Sequence, residues 1–177
     1  MYAHEASPQV TAALKLQPIL FCRPGELRHM EWTELDWETS RWTIPAEKMK
    51  TDRDFIVPLS RQARSYLSEL KQHTGHRKYA FPSARRPTKP MSDAAALVAM
   101  RSIGIDKDQQ TPHGFRATAR TLLEEELGYR VEVIEMQLAH AVRDATGRAY
   151  NRTQFLKKRT AMMQAWADYI DDLRSTK

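Results

Sequence analysis

The sequence has a single cysteine, Cys22, so an internal disulfide is impossible, and that scarcity speaks against a zinc cluster. No run approaches the roughly 20 apolar residues of a membrane span. Residues 1–20 show no basic start followed by an apolar block, so no signal peptide is read there. Without these features the cytosol is the default compartment. There is no glycine-rich phosphate loop, no GxSxG, no HExxH, no internal repeat and no low-complexity tract. What remains is 177 residues with 41% apolar and 28% charged side chains. That is the profile of one soluble globular domain.

Charge carries the next signal. Lys and Arg number 28 against 22 Asp and Glu, a formal excess of +6. The excess is clustered. Residues 76–101 hold Arg77, Lys78, Arg85, Arg86, Lys89 and Arg101 against Asp93, and residues 141–159 hold Arg143, Arg148, Arg152, Lys157, Lys158 and Arg159 against Asp144. Clustered base fits a polyanion surface; the bland alternative is a set of solvated faces.

The pattern predicts an α+β domain, mainly α-helical, with a small antiparallel sheet in its N-terminal part. Pro8 opens a helix over 8–21, and Pro24 starts a short one over 24–31. Leu35–Trp37, Arg41–Ile44 and Asp54–Val57 read as strands joined by hairpin turns. Ser60 caps a helix to His73, residues 74–91 form a loop, and Ser92 caps a helix to Ser102. Thr111 and Pro112 begin a helix that runs to Leu127 and stops at Gly128. Val131–Leu138 is helical, and Asp144–Asn151 is a short helix weakened by Gly147. Thr153–Leu173 is a long amphipathic helix, which packs either on its own domain or on a neighbouring protomer. Residues 174–177 are a frayed tail.

Several residue types invite chemistry. Arg23 precedes a proline, which pushes its backbone out of the helical region and sets it at a helix mouth, with Glu26 near enough to hold its guanidinium. His113 and Arg116, three apart at a helix start, make a phosphate-binding corner. His140 ends a helix, and ten residues later Tyr150 is flanked by Arg148 and Arg152, whose charge favours a phenolate. Lys50 lies at a hairpin edge. Each of these also has a structural or solvated reading. His73 and His76 lack a third metal ligand nearby, Glu124 to Glu126 look like a solvated face, and Cys22 looks like a small core residue.

In order, these residues resemble the tyrosine recombinases, the phage-integrase family. The resemblance spans about residues 10–170. Its motifs are Arg23-Pro24-Gly25-Glu26-Leu27-Arg28, Ile44-Pro45-Ala46-Glu47-Lys48-Met49-Lys50, Val57-Pro58-Leu59-Ser60, His113-Gly114-Phe115-Arg116 and Met162-Met163-Gln164-Ala165-Trp166-Ala167-Asp168-Tyr169. They are similar above all to integrases of prophages and genomic islands. The resemblance implies that Arg23 and Arg116 are the catalytic arginines, His113 and His140 the two histidines, and Tyr150 the nucleophile. Lys50 matches the hairpin lysine, with Lys48 two residues away as the alternative. Two departures concern loop geometry: Phe21-Cys22 stands where many members have Thr-Gly, and Ala139 where many have Gly.

The activity implied is integration or excision of a mobile element by DNA cleavage and rejoining through a 3′-phosphotyrosyl link, with no metal and no cofactor. Lys48, Arg53, Arg143, Arg148 and Arg152 are the expected DNA contacts, and Gly147 would loosen the tyrosine segment so that assembly gates it. The expected partners are double-stranded DNA, other protomers in a tetrameric synapse and DNA-bending accessory proteins; no membrane is expected. The expected location is the bacterial cytoplasm, at the nucleoid. Residues 1–177 are expected to form a single catalytic domain, the 22 residues before Arg23 being too few for the N-terminal core-binding and arm-binding domains of relatives. Weak, steeply salt-dependent DNA binding follows. The rival functions are a non-catalytic DNA-binding regulator, a topoisomerase-like relaxing enzyme and a metal-dependent nuclease.

Overall fold

The computed structural model describes residues 7–50, 53–140 and 155–175. The helices are α1 (Pro8–Leu20), α2 (Pro24–Arg28), α3 (Arg61–Thr74), α4 (Ala94–Ser102), α5 (Gly114–Glu125), α6 (Val131–Gln137) and α7 (Leu156–Ser175). The strands β1 (Leu35–Asp36), β2 (Arg41–Ile44) and β3 (Phe55–Pro58) form one antiparallel sheet in that order. Leu35 faces Trp42, and Trp42 faces Val57. This is the mainly helical α+β architecture the pattern predicts.

Helix α1 is the spine, in contact with α2, α3, α4, α5 and α7. A helix covered on several sides must be apolar around much of its circumference. Ala12, Ala13, Leu16, Ile19 and Leu20 are accordingly buried. Pro18 falls in its last turns, and its carbonyl accepts the Trp166 indole N–H at 2.9 Å. The long helix α7 therefore packs on its own domain. Met162, Met163, Trp166 and Ala167 are buried there, and Gln62 donates to Asp168 at 2.7 Å to join α3 to α7. The sheet adds Trp42, Ile44 and Val57 to the same core.

Several helix ends differ from the expectation, each for a local reason. Helix α2 stops at Arg28 rather than residue 31, because the chain turns at His29 and buries Met30. Helix α4 starts at Ala94, its N–H accepted by the Asp93 carboxylate, not at a Ser92 cap. Helix α5 starts at Gly114, because the Thr111 hydroxyl accepts the Gly114 N–H and the chain turns once more before the helix begins. His113 is thus its cap residue. Helix α7 starts at Leu156, after Phe155 in the left-handed region at φ 57°. The expected helix over 144–151, with Gly147, lies outside the described residues.

Candidate functional site

Two helices end side by side in left-handed residues, and that sets the site. Phe21 closes α1 at φ 34°, with its N–H bonded to the Gln17 carbonyl. Ala139 follows α6 at φ 51°. There the His140 N–H reaches the Glu135 carbonyl at 3.0 Å and the Ala139 N–H reaches Met136 at 3.1 Å, the paired bonds of a Schellman motif. Phe21 and Ala139 both take the left-handed backbone that favours glycine, at the strain an L-residue bears there. The buried Gln17 amide donates to the Cys22 carbonyl at 2.8 Å and fixes the loop after α1.

Arg116, one turn into α5, lies between these two helix ends. One Nη donates to the Phe21 carbonyl at 3.0 Å and the other to the Leu138 carbonyl at 2.7 Å. Helix C-termini are the negative ends of the macrodipole and carry unpaired carbonyls, so they suit a buried cation. Only 6% of Arg116 is exposed. Burial pushes its pKa down, and the neighbouring Arg23 charge pushes it the same way. It stays a cation, since arginine does not lose its proton in proteins. Its holders along this edge are neutral dipoles, so its net charge remains.

Arg23 stands two residues after the carbonyl that Arg116 grips. Its backbone is extended (φ −65°, ψ 139°), as Pro24 requires. Glu26 binds it twice: its carboxylate accepts from the Arg23 backbone N–H at 2.8 Å and from Nη1 at 2.7 Å. His140 closes the group, its Nε2 being 3.3 Å from Arg116 Nη2. On its other side Nδ1 is 2.6 Å from a Glu135 oxygen. A carboxylate only accepts, so Nδ1 carries the proton and Nε2 points at Arg116. Burial alone would raise the Glu135 carboxyl; His140 and Arg120 outweigh it and hold the carboxyl below its ordinary value.

Arg23, Arg116 and His140 are therefore brought together from three parts of the chain. His113 is exposed at the mouth of α5, one turn before Arg116. Lys50 and Arg53 are exposed in the turn between β2 and β3. Lys48, expected as a DNA contact, is engaged within the protein. Its ammonium donates to Glu31 at 2.7 Å, to Glu34, and to the His29 carbonyl at 3.0 Å. Tyr150, Arg143, Arg148 and Arg152 lie outside the described residues. Sequence reading overlooked Glu135 and Gln17. Glu135 sits five residues before His140, the interval that a Schellman ending closes.

The phage integrase family model matches residues 3–157. The chain belongs to the phage integrase family. It is 40% identical over 154 residues to prophage integrase IntA of Escherichia coli K12, covering 87% of this chain and 37% of that protein. It is 38% identical over 183 residues to the integrase of Enterobacteria phage P4, covering 96% of this chain and 42% of that protein. The chain thus spans about two fifths of the length of these curated relatives. In fold it is similar to the lambda integrase catalytic core, with a TM-score of 0.59 at 23% identity over 83% of this chain and 88% of that one. It is also similar to the integrase of mycobacterium phage Brujita, with a TM-score of 0.65 at 15% identity over 92% of this chain and 53% of that one. A lambda integrase tetramer bound to a Holliday junction matches with a TM-score of 0.58 at 19% identity, over 83% of this chain and 44% of that one.

Proposed function

We propose that this integrase-family chain is the catalytic domain of a site-specific DNA recombinase that integrates or excises a mobile element. It would cut and rejoin DNA through a 3′-phosphotyrosyl intermediate. One observation carries the reading. Arg116 grips the Phe21 carbonyl two residues from Arg23, and the same guanidinium meets His140 Nε2 at 3.3 Å. Two guanidinium groups and an imidazole thus share one corner, with the Glu26 carboxylate on the Arg23 side and the Glu135 carboxylate behind His140.

In this reading the Tyr150 phenol attacks the scissile phosphorus as a covalent nucleophile, its proton passing to His113. Arg23 and Arg116 hold the non-bridging oxygens as their charge grows. His140, held by Glu135 through Nδ1, adds a hydrogen bond to the same oxygens when Nε2 also carries a proton. Lys50 gives a proton to the 5′-oxygen as the P–O bond breaks. A partner 5′-hydroxyl then attacks the phosphotyrosine, so no nucleotide is consumed. The partners are double-stranded DNA and further protomers, in an assembly of the kind formed by the lambda integrase tetramer bound to a Holliday junction. Arg53 and the arginines around Tyr150 would follow the DNA backbone; Lys48, whose charge Glu31 and Glu34 cancel, would not. Among the described residues no helix is long and apolar enough to cross a membrane, and we place the protein with its substrate in the cytoplasm, at the nucleoid.

The test is a nicked duplex spanning the boundary between the encoding element and the flanking host DNA. Incubated in excess EDTA, it should yield a covalent protein–DNA adduct that Tyr150→Phe abolishes. An adduct that needs divalent metal, or survives Tyr150→Phe, would refute the reading.

A further inference from the structure

The β2–β3 turn that carries Lys50 is fastened to the segment after Arg23 by a polar cluster outside the phosphate corner. Its centre is Lys48, which is 20% exposed, while the Glu34 carboxylate is only 7% exposed. Lys48 has three N–H donors, and the His29 carbonyl, Glu31 and Glu34 take them. The partners are themselves fixed. The Glu34 carboxylate accepts the Trp42 indole N–H at 2.9 Å and the Glu31 backbone N–H at 3.2 Å. Glu31 also pairs with Lys78 at 3.5 Å. His29 leads directly back into α2, where its ring Nδ1 meets the Gly25 carbonyl at 2.7 Å. On the turn's other side the Asp54 carboxylate accepts the Ala46 N–H at 3.1 Å, and between Lys48 and Lys50 the Met49 side chain is buried. Lys50 is thus two residues from an anchored ammonium, and the anchor is the chain that follows Arg23.

We propose that Lys48 is a positioning residue: its bonds to Glu31, Glu34 and the His29 carbonyl fix the exposed Lys50 ammonium at a set distance from Arg23, where it can protonate the leaving oxygen. This rests on the proposed recombinase reading and assigns Lys48 a part in it. Lys48 touches no DNA. A flexible lysine on an unanchored turn would seldom be in place as the P–O bond breaks, so a proton donor depends on its anchor.

The experiment compares two leaving groups in the nicked duplex, with protein in saturating excess. One has the ordinary 5′-oxygen. The other has a bridging 5′-sulfur, which departs as a thiolate and needs little protonation, thiols having pKa values of about 8.5. Lys48→Met should slow cleavage of the oxygen duplex by about 10- to 100-fold, part of the 10²–10⁴ a general acid supplies. On the sulfur duplex it should cut within about threefold of the parent, because the phosphate corner is untouched. Lys48→Arg, which can still bridge two carboxylates, should recover most of the oxygen rate. The triple change Lys48→Met, Glu31→Gln, Glu34→Gln leaves no uncompensated buried charge, so it should fold even where the single variant does not, and it should show the same oxygen-selective loss.

Equal slowing on both duplexes, or none on either, would overturn the proposal. Lys50→Ala separates this from the wider reading. If sulfur rescues Lys50→Ala, the acid is confirmed and the Lys48 result alone judges the anchor. If sulfur rescues Lys48→Met and Lys50→Ala cuts normally, Lys48 is itself the acid and the positioning proposal fails.

Discussion

Arg116 and Lys48 are both largely withdrawn from water, yet they are held in opposite ways. Arg116 is gripped by the Phe21 and Leu138 carbonyls, neutral dipoles at two helix ends. Lys48 is gripped by the carboxylates of Glu31 and Glu34. The first arrangement fixes a cation with no carboxylate bound to it directly; the second binds it to two. Burial of a basic group therefore does not mark it as structural or functional. The charge of its holders distinguishes the two, and Arg116 is the one held without a carboxylate on its guanidinium.

The sharpest way to break this comparison is to exchange the fork. Arg116→Lys keeps a cation but cannot bridge carbonyls on two helix ends while facing a third group. Cleavage should fall by at least about 10²–10³, the scale of losing a transition-state donor, with far-UV circular dichroism unchanged. Near-parental rates would mean that charge alone suffices there.

Stability should tell the opposite story at the other cation. Lys48→Met leaves the buried Glu34 carboxylate without a cation and Glu31 with only the exposed Lys78. It should cost about 2–3 kcal/mol in urea unfolding, somewhat under the 3–5 of a fully buried pair because Lys48 keeps a fifth of its exposure. The triple neutral variant should regain most of that. Acid refines the point. Burial raises the Glu31 carboxyl, but Lys48 and Lys78 overcome it and hold it below the ordinary 4.5. A depressed carboxyl stabilises the fold above that value and loses its contribution as pH falls through the folded value. The stability gap between parent and Lys48→Met should therefore be full at pH 7 and narrow steadily below pH 4.5.

The smallest effect concerns the two left-handed residues. Ala139→Gly removes the strain at φ 51° and should be neutral or stabilising by up to about 1 kcal/mol. Phe21→Gly relieves the same kind of strain but empties a fully buried site that meets Trp166 edge-on at 6.2 Å, so it should destabilise by about 2–4 kcal/mol. Thermal melts of both variants check the opposite signs.

These contrasts mark what was legible in the chain. Interactions a few residues apart could be read: the extended backbone that Pro24 imposes on Arg23, the reach of Glu26, the Ser60 cap and the short antiparallel strands all follow from local rules. Helix starts at Ala94 and Gly114 escape a rule that takes the nearest hydroxyl as the cap. In fact Asp93 caps α4, and Thr111 closes a turn that precedes α5. Bonds across distance could not be read. Lys48 finds its carboxylates 17 and 14 residues away, and Arg116 finds its carbonyls 95 and 22 away. Nothing in residue type forecasts left-handed backbone at a phenylalanine or an alanine. Only the resemblance hinted at it, and only at Ala139, where many members of the family it resembles have glycine and the structure keeps the left-handed shape.

The most direct measurement is the site of covalent attachment. After reaction with the nicked duplex in excess EDTA, tryptic digestion and mass spectrometry should find the nucleotide mass on the peptide Ala149–Arg152, which holds Tyr150. The Arg116→Lys protein should give far less of the same product. Attachment to any other residue, or no adduct at all from a folded chain that binds the duplex, would contradict a phosphate corner built from Arg23, Arg116 and His140 and served by that tyrosine.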